Sequence, residues 1–276
     1  MNLTILIISN PVLAANNRGE GTGNLQTLQQ ITTPTGMRTV LSGVAIKRAL
    51  RDAMIANGAR LWRRNDNSDP VGNPAGYIYG DNGSPSMSKA EPPSPMGYAD
   101  EQFGFMIAEK GKGEQVSKQK GFCEVSTAVS TTNYDGDVAF VQGLKAKDPQ
   151  LNPFQAERHY TRYQYTVTWD LSNVDEESFK QALFSLRSLA VGGSHSSNAT
   201  EITPDQVLWC IHKAPGRAGL QVGIGEVFAP DEPVDLSVIK QRAEEIGVSE
   251  SGISQFSRGM GFAQVFEAAR PFCKQG

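Results

Sequence analysis

The spacing of apolar residues predicts a mixed α and β order that opens on a strand. Leu3 to Ile8 is a short, Ile-dominated run that predicts a buried first strand. Ile46, Ala49, Leu50, Ala53 and Met54 then fall at the i, i+3, i+4, i+7, i+8 spacing of a helix, with Ser42 placed to cap it and Gly58 to stop it. Asp66 to Met96 is dense in Gly, Pro, Ser and Asn, has almost no apolar period, and reads as an irregular insertion. A strand is expected around Phe122 to Ser130, followed by a loop-rich stretch from Thr131 to about Glu157. Tyr163, Tyr165, Val167 and Trp169 alternate with Gln164, Thr166 and Thr168, the period-two signature of a strand with one buried face. Asp175 is placed to cap a second helix whose inward stripe is Phe179, Ala182, Leu183, Leu186 and Ala190, ending at Gly192 and Gly193. Val207 to Ile211 and Leu220 to Phe228 predict two strands around the Pro215, Gly216 turn, and Leu236, Ile239, Ala243 and Ile246 mark a last helix. Strand, helix, strand, insertion, strand, helix, strand is an α+β order compatible with a ferredoxin-like split unit, an antiparallel sheet backed by two helices.

Composition narrows this picture. With 39% hydrophobic and 20% charged residues over 276 positions, the chain can close a core and is not a disordered tail protein. Cys123, Cys210 and Cys273 lie far apart and His159, His195 and His212 are scattered, so neither a disulfide framework nor a zinc ribbon can be assembled, and a reducing cytoplasm fits. Leu3 to Ile8, with Ala14 and Ala15 behind it, could pass for a secretory signal, but no Lys or Arg precedes it and a buried strand is the better reading. No stretch reaches the roughly 18 apolar residues of a membrane span, so no bilayer crossing is expected.

The formal net charge of minus 3 conceals a polarised part. From Arg38 to Arg64 there are seven basic residues and one acid, net plus six, while the remainder holds 19 basic and 28 acidic residues, net minus nine. One basic surface on an acidic body argues for a bound polyanion on one face. Lys47 and Arg51 are four apart on the first helix with Arg48 beside them, and that helix's N-terminus offers N–H groups to an anion. A merely solvated helix face is the competing reading.

Two glycine-rich stretches carry the remaining signal. Gly19, Gly21 and Gly23 fail as a dinucleotide fingerprint, because they lie well past the first strand and well before the helix, and no Walker lysine follows. They suit a backbone-contacting loop. Gly192, Gly193, Ser194, His195, Ser196, Ser197 and Asn198 combine small side chains, hydroxyls and an amide, which can follow a phosphate backbone without base preference, or simply end a helix. No zincin motif, nucleophile elbow or metal-spaced cysteine pair is present. Asp66 and Asp69 could assist strand cleavage beside a bound RNA, although nothing fixes their geometry and a solvated loop is the plainer reading.

The block from Arg38 to Asp52, preceded by Asn16 to Asn24 and a short apolar strand, resembles the N-terminal signature of CRISPR Cascade backbone subunits, and within them the DevR-like type I-B group of the repeat-associated RNA-binding superfamily. The resemblance covers about half the chain, since the Tyr163 to Asp170 strand, its following helix and the Gly192 loop stand in the same order. It implies a modified RNA-recognition-motif palm (1–60 and 158–276), a finger-like insertion (61–157) and a thumb near 198–219. It also implies a non-catalytic subunit without cofactor or metal that polymerises head to tail along crRNA beside other Cascade subunits. Such a subunit would present the guide for pairing with target DNA. Carried over by position, Arg18, Asn24, Arg38, Ser42, Lys47, Arg48, Arg51 and Gly192 to Asn198 would hold the guide. The aromatic pair with which ordinary RNA-recognition motifs stack bases is missing. The alternatives are an RNA-cleaving type III-like subunit using Asp66 or Asp69, and a ferredoxin-like interaction protein without nucleic acid.

Overall fold

The computed structural model describes residues 1–15, 25–57, 102–108, 116–145, 148–192, 199–213, 253–257 and 261–274. The strand expected at Leu220 to Phe228, the helix expected at Leu236 to Ile246, and Asp66 and Asp69 lie outside them. The chain opens with β1 (Asn2–Ser9), β2 (Val12–Ala14), β3 (Leu25–Gln26), β4 (Gln30–Thr33), β5 (Gly36–Leu41) and helix α1 (Gly43–Ala56). Then come β6 (Gly104–Ala108), β7 (Val116–Lys120), β8 (Cys123–Val125), β9 (Ala128–Ser130), β10 (Asp137–Lys145), β11 (Asp148–Thr161) and β12 (Tyr163–Asp170). Helix α2 (Glu176–Ser185), β13 (Ala190–Val191), β14 (Thr200–Glu201), β15 (Pro204–His212), β16 (Ile253–Ser257) and helix α3 (Phe262–Ala269) complete it.

Eight strands form the main sheet in the order β16, β15, β1, β12, β9, β5, β4, with β8 also on the β12 edge shared with β9. Every pairing in it is antiparallel. Register places Leu3, Ile5 and Ile7 beside Trp169, Val167 and Tyr165, and all six side chains are buried. They meet Ile46, Leu50 and Met54 of α1, Phe179 and Leu183 of α2, and Phe262, Val265 and Phe266 of α3 in one core. Trp169 packs edge-on to Phe179 with ring centroids 5.6 Å apart, and its indole N–H donates to Gln102 Oε1 at 2.9 Å, so the buried polar atom is satisfied.

The opposite face of the three central strands carries Thr4, Gln164, Thr166, Thr168 and His212, all buried. Thr4 Oγ1 lies 3.0 Å from both Thr168 Oγ1 and His212 Nε2, so hydroxyls and an imidazole satisfy one another there. Among the described residues of β1, β12 and β15, this face bears no Phe, Tyr or Trp.

Three expectations need correcting. Thr131 to Glu157 is largely a long antiparallel ribbon of β10 and β11 instead of loop; its exposed Val138 and Phe140 and its prolines hide the usual alternation. Ala190 is not on the helix, which ends at Ser185, but is exposed on β13 after a 3-10 turn that buries Leu189. Helix α3 was not anticipated at all. The span 61–157 also supplies β8 and β9 to the main sheet, and 198–219 supplies β15. Among the described residues no helix is long and apolar enough to cross a membrane.

Candidate nucleic-acid interface

Helix α1 begins as its sequence requires. The Ser42 hydroxyl accepts from Ala45 N at 3.2 Å, satisfying one of the otherwise orphaned N–H groups of the first turn. A side chain at Gly43 would place its Cβ 2.4 Å from Val125 O, so glycine lets the helix start press directly on the strand β8 backbone. The cations project away from the Ile46, Leu50, Met54 stripe: Lys47 and Arg51 are half-buried on its flank and Arg48 is exposed. Arg48 pairs with Asp52 at 3.4 Å, and with both side chains about half exposed this contact contributes little and does not hold the guanidinium away from another anion.

Arg38 is placed differently from these three. It sits on β5, nearly buried, and donates to Ser130 O at 3.5 Å and Thr35 Oγ1 at 3.2 Å, while its Nε has no hydrogen-bond partner among the described residues. Burial pushes its guanidinium below the usual arginine range. Its closeness in sequence to α1 suggests a continuous basic ridge; the register instead puts it on the β5 face shared with Val40, Val129 and Gln164, opposite the face on which α1 packs, and Ser42 is engaged as a cap.

The two glycine-rich stretches emerge together. β2 runs to Ala14, and Ala15 N donates to Thr200 Oγ1 at 3.4 Å. β13 and β14 pair as Ala190 with Glu201 and Val191 with Thr200, so Gly192 and Ala199 stand at the mouth of the second stretch. α1 packs against β13 in turn, and β14 against β2. The entry to the first stretch, both ends of the second and the basic helix thus meet at one corner of the fold. Arg18, Asn24 and Gly193 to Asn198 themselves lie outside the described residues.

A buried polar network that the sequence did not announce borders β5. His159 of β11 has Nδ1 at 2.8 Å from Thr39 Oγ1, and Nε2 at 3.1 Å from Asn133 O and 3.0 Å from Thr132 Oγ1. The Asn133 carbonyl can only accept, which places the proton of the neutral ring on Nε2 and leaves Nδ1 to accept from Thr39. The Tyr163 hydroxyl, 3.0 Å from Thr39 Oγ1, extends the chain, and burial pushes it up to about 12. Burial pushes His159 below the ordinary histidine value, against the Asn133 carbonyl and the Asp135 charge, with nearby Arg38 adding to the lowering. No cluster of metal-ligating side chains exists among the described residues.

No protein-family profile matches the chain. Over 221 residues it is 29% identical to a CRISPR-associated protein Cas7/Cst2/DevR of Myxococcus xanthus, an alignment covering 71% of this chain and 67% of that protein. The chain is thus similar in sequence to a Cas7/Cst2/DevR protein. In fold, 98% of the chain superimposes on the whole of a chain described as a CRISPR RNA-guided surveillance complex, with TM-score 0.59 at 14% identity. A second such chain, from a pre-nicking surveillance complex, gives TM-score 0.57 at 13% identity over 99% of this chain. At these identities the likeness is one of fold alone, a mixed helix and antiparallel-sheet architecture.

Proposed function

We propose that this protein is the non-catalytic backbone subunit of a type I CRISPR effector complex, of the I-B group, and grips crRNA by its sugar-phosphate chain. The observation that carries this reading is the convergence of α1 with the mouths of both glycine-rich stretches. A basic helix beside the mouths of two stretches whose sequence is rich in small residues and hydroxyls suits phosphate and ribose contacts, which position a strand without reading its sequence. Lys47, Arg48 and Arg51 supply the charge, and Arg18, Asn24 and Gly192 to Asn198 the close backbone approach. Arg38 supports β5 from within, and Ser42 holds the helix start.

The topology supports a palm. Taken from β15 through β1 and β12 to β8, the sheet has the order fourth, first, third, second with helices between first and second and between third and fourth, which is the ferredoxin-like split arrangement. Residues 1–60 and 158–276 form this palm, joined by β8 and β9 from within the finger insertion 61–157. The polar, buried back face leaves no aromatic platform on the central strands, so bases stay free to pair with target DNA. Copies stacked head to tail along the guide, beside other Cascade subunits, make a heterologous contact that stays open and lets RNA length set the number.

Binding of a guide-length RNA, measured across a salt series with wild-type protein and with Lys47, Arg48 and Arg51 all changed to Ala, tests the proposal. Affinity should fall steeply with salt and the triple variant should bind weakly at every concentration. Affinity indifferent to salt, or unaltered by the triple change, would exclude it.

A further inference from the structure

Along β11, side chains alternate between core and solvent: His159 and Thr161 are buried, whereas Tyr160 between them is 69% exposed. Its cross-strand partner on β2 is Leu13, itself 40% exposed, so ring and aliphatic side chain form a small apolar shelf. Arg158, two residues back on the same strand face, brings a half-buried guanidinium whose Nε has no hydrogen-bond partner among the described residues. One exposed apolar side chain is ordinary. A phenol ring beside a cation is not a bare apolar patch, because an aromatic face and a guanidinium together match the base and phosphate of a single-stranded nucleotide.

Position adds the second argument. β2 leads straight into the first glycine-rich stretch, β14 packs on β2, and α1 packs on the hairpin partner of β14. The shelf is therefore at the rim of the corner already assigned to the guide, on the far side of the glycine-rich mouths from the basic helix. We infer that Tyr160 is a base-stacking residue: one nucleobase of the bound single-stranded RNA lies flat on its ring, with Leu13 completing the shelf and Arg158 facing the adjoining phosphate. This rests on the RNA-binding reading above and adds to it a base contact indifferent to sequence, since every base has a π face.

The test compares two end-labelled probes of about ten nucleotides, an oligoadenylate and a strand of the same length made of abasic ribose phosphate. Wild-type protein should favour oligoadenylate by about tenfold. Tyr160→Ala should lose that preference and keep its affinity for the abasic strand, whereas Tyr160→Phe and Tyr160→Trp should retain the preference. The proposal falls if wild-type protein binds both probes alike, if Tyr160→Ala keeps the preference, or if Tyr160→Phe loses it as Ala does. It falls too if Tyr160→Ala instead lowers self-association of RNA-free protein in sedimentation and leaves the base preference intact, because the shelf is then a contact between copies. Salt-sensitive binding of the abasic strand without base preference sinks this inference alone; no salt-sensitive binding of either probe sinks the RNA-binding reading with it.

Discussion

Gly43 decides where α1 begins. With Val125 O only 2.4 Å from where a Cβ would stand, and that obstacle being backbone, neither side can yield cheaply. Gly43→Ala should lower stability by about 1–3 kcal/mol in urea unfolding, although alanine is otherwise the better helix former. His159 and His212 make a second prediction at this scale. Both imidazoles are pushed down by burial, His159 also by Arg38 and His212 also by the N-terminal ammonium, while the Asn133 carbonyl and Asp135 partly oppose this at His159. A base whose folded pKa lies below its unfolded value binds more protons when unfolded. The stability due to these neutral rings is therefore complete above pH 6.5, the ordinary histidine value, and is lost as pH falls from there through the lowered folded values. Melting temperature should drop across that window, and His159→Gln should flatten the drop. A profile that the substitution leaves unchanged would mean that other groups govern acid lability.

At the scale of elements, the cap and the helix separate two roles that Ser42 could have had. Its hydroxyl holds Ala45 N, so Ser42→Ala should cost about 1 kcal/mol of stability while leaving RNA affinity of the folded protein unchanged. A large loss of affinity at full folding would make Ser42 a ligand to phosphate. The elements that could be read from the sequence, β1, β12, α1 and α2, are those that put apolar residues into the core; β1 and β12 are buried on both faces, so the alternation of β12 separates an apolar face from a buried polar one instead of from solvent. The β10–β11 ribbon could not be read this way, with Phe140 exposed at one end and His159 buried at the other. Helix α3 did carry a signal in Phe262, Val265, Phe266 and Ala269 at helical spacing, but over only eight residues. The cations of α1 were legible for the same periodic reason, whereas the meeting of Ala15 with Thr200, 185 positions apart, is created by sheet pairing and leaves no local trace.

For the whole molecule, the charge map is more selective than the sequence sum of plus six suggested, because Arg38 is spent inside and Arg60, Arg63 and Arg64 lie outside the described residues. On the proposed reading, three helix cations on a net-negative body would keep nucleic acid to one side. Replacing all three should reduce the slope of log affinity against log salt by about 2, the counterion release of roughly 0.7 per phosphate on a single strand. One further consequence comes from how β2 and β3 sit on β11. Ala14 pairs with His159 and Leu25 with Gln155, so the chain between them departs from and returns to the same strand at points four residues apart, roughly 13 Å. A segment moored at both ends in this fashion can gain or lose residues without shifting the strand beneath it. The framework that fixes those two pairings need not be rebuilt when the length between them changes.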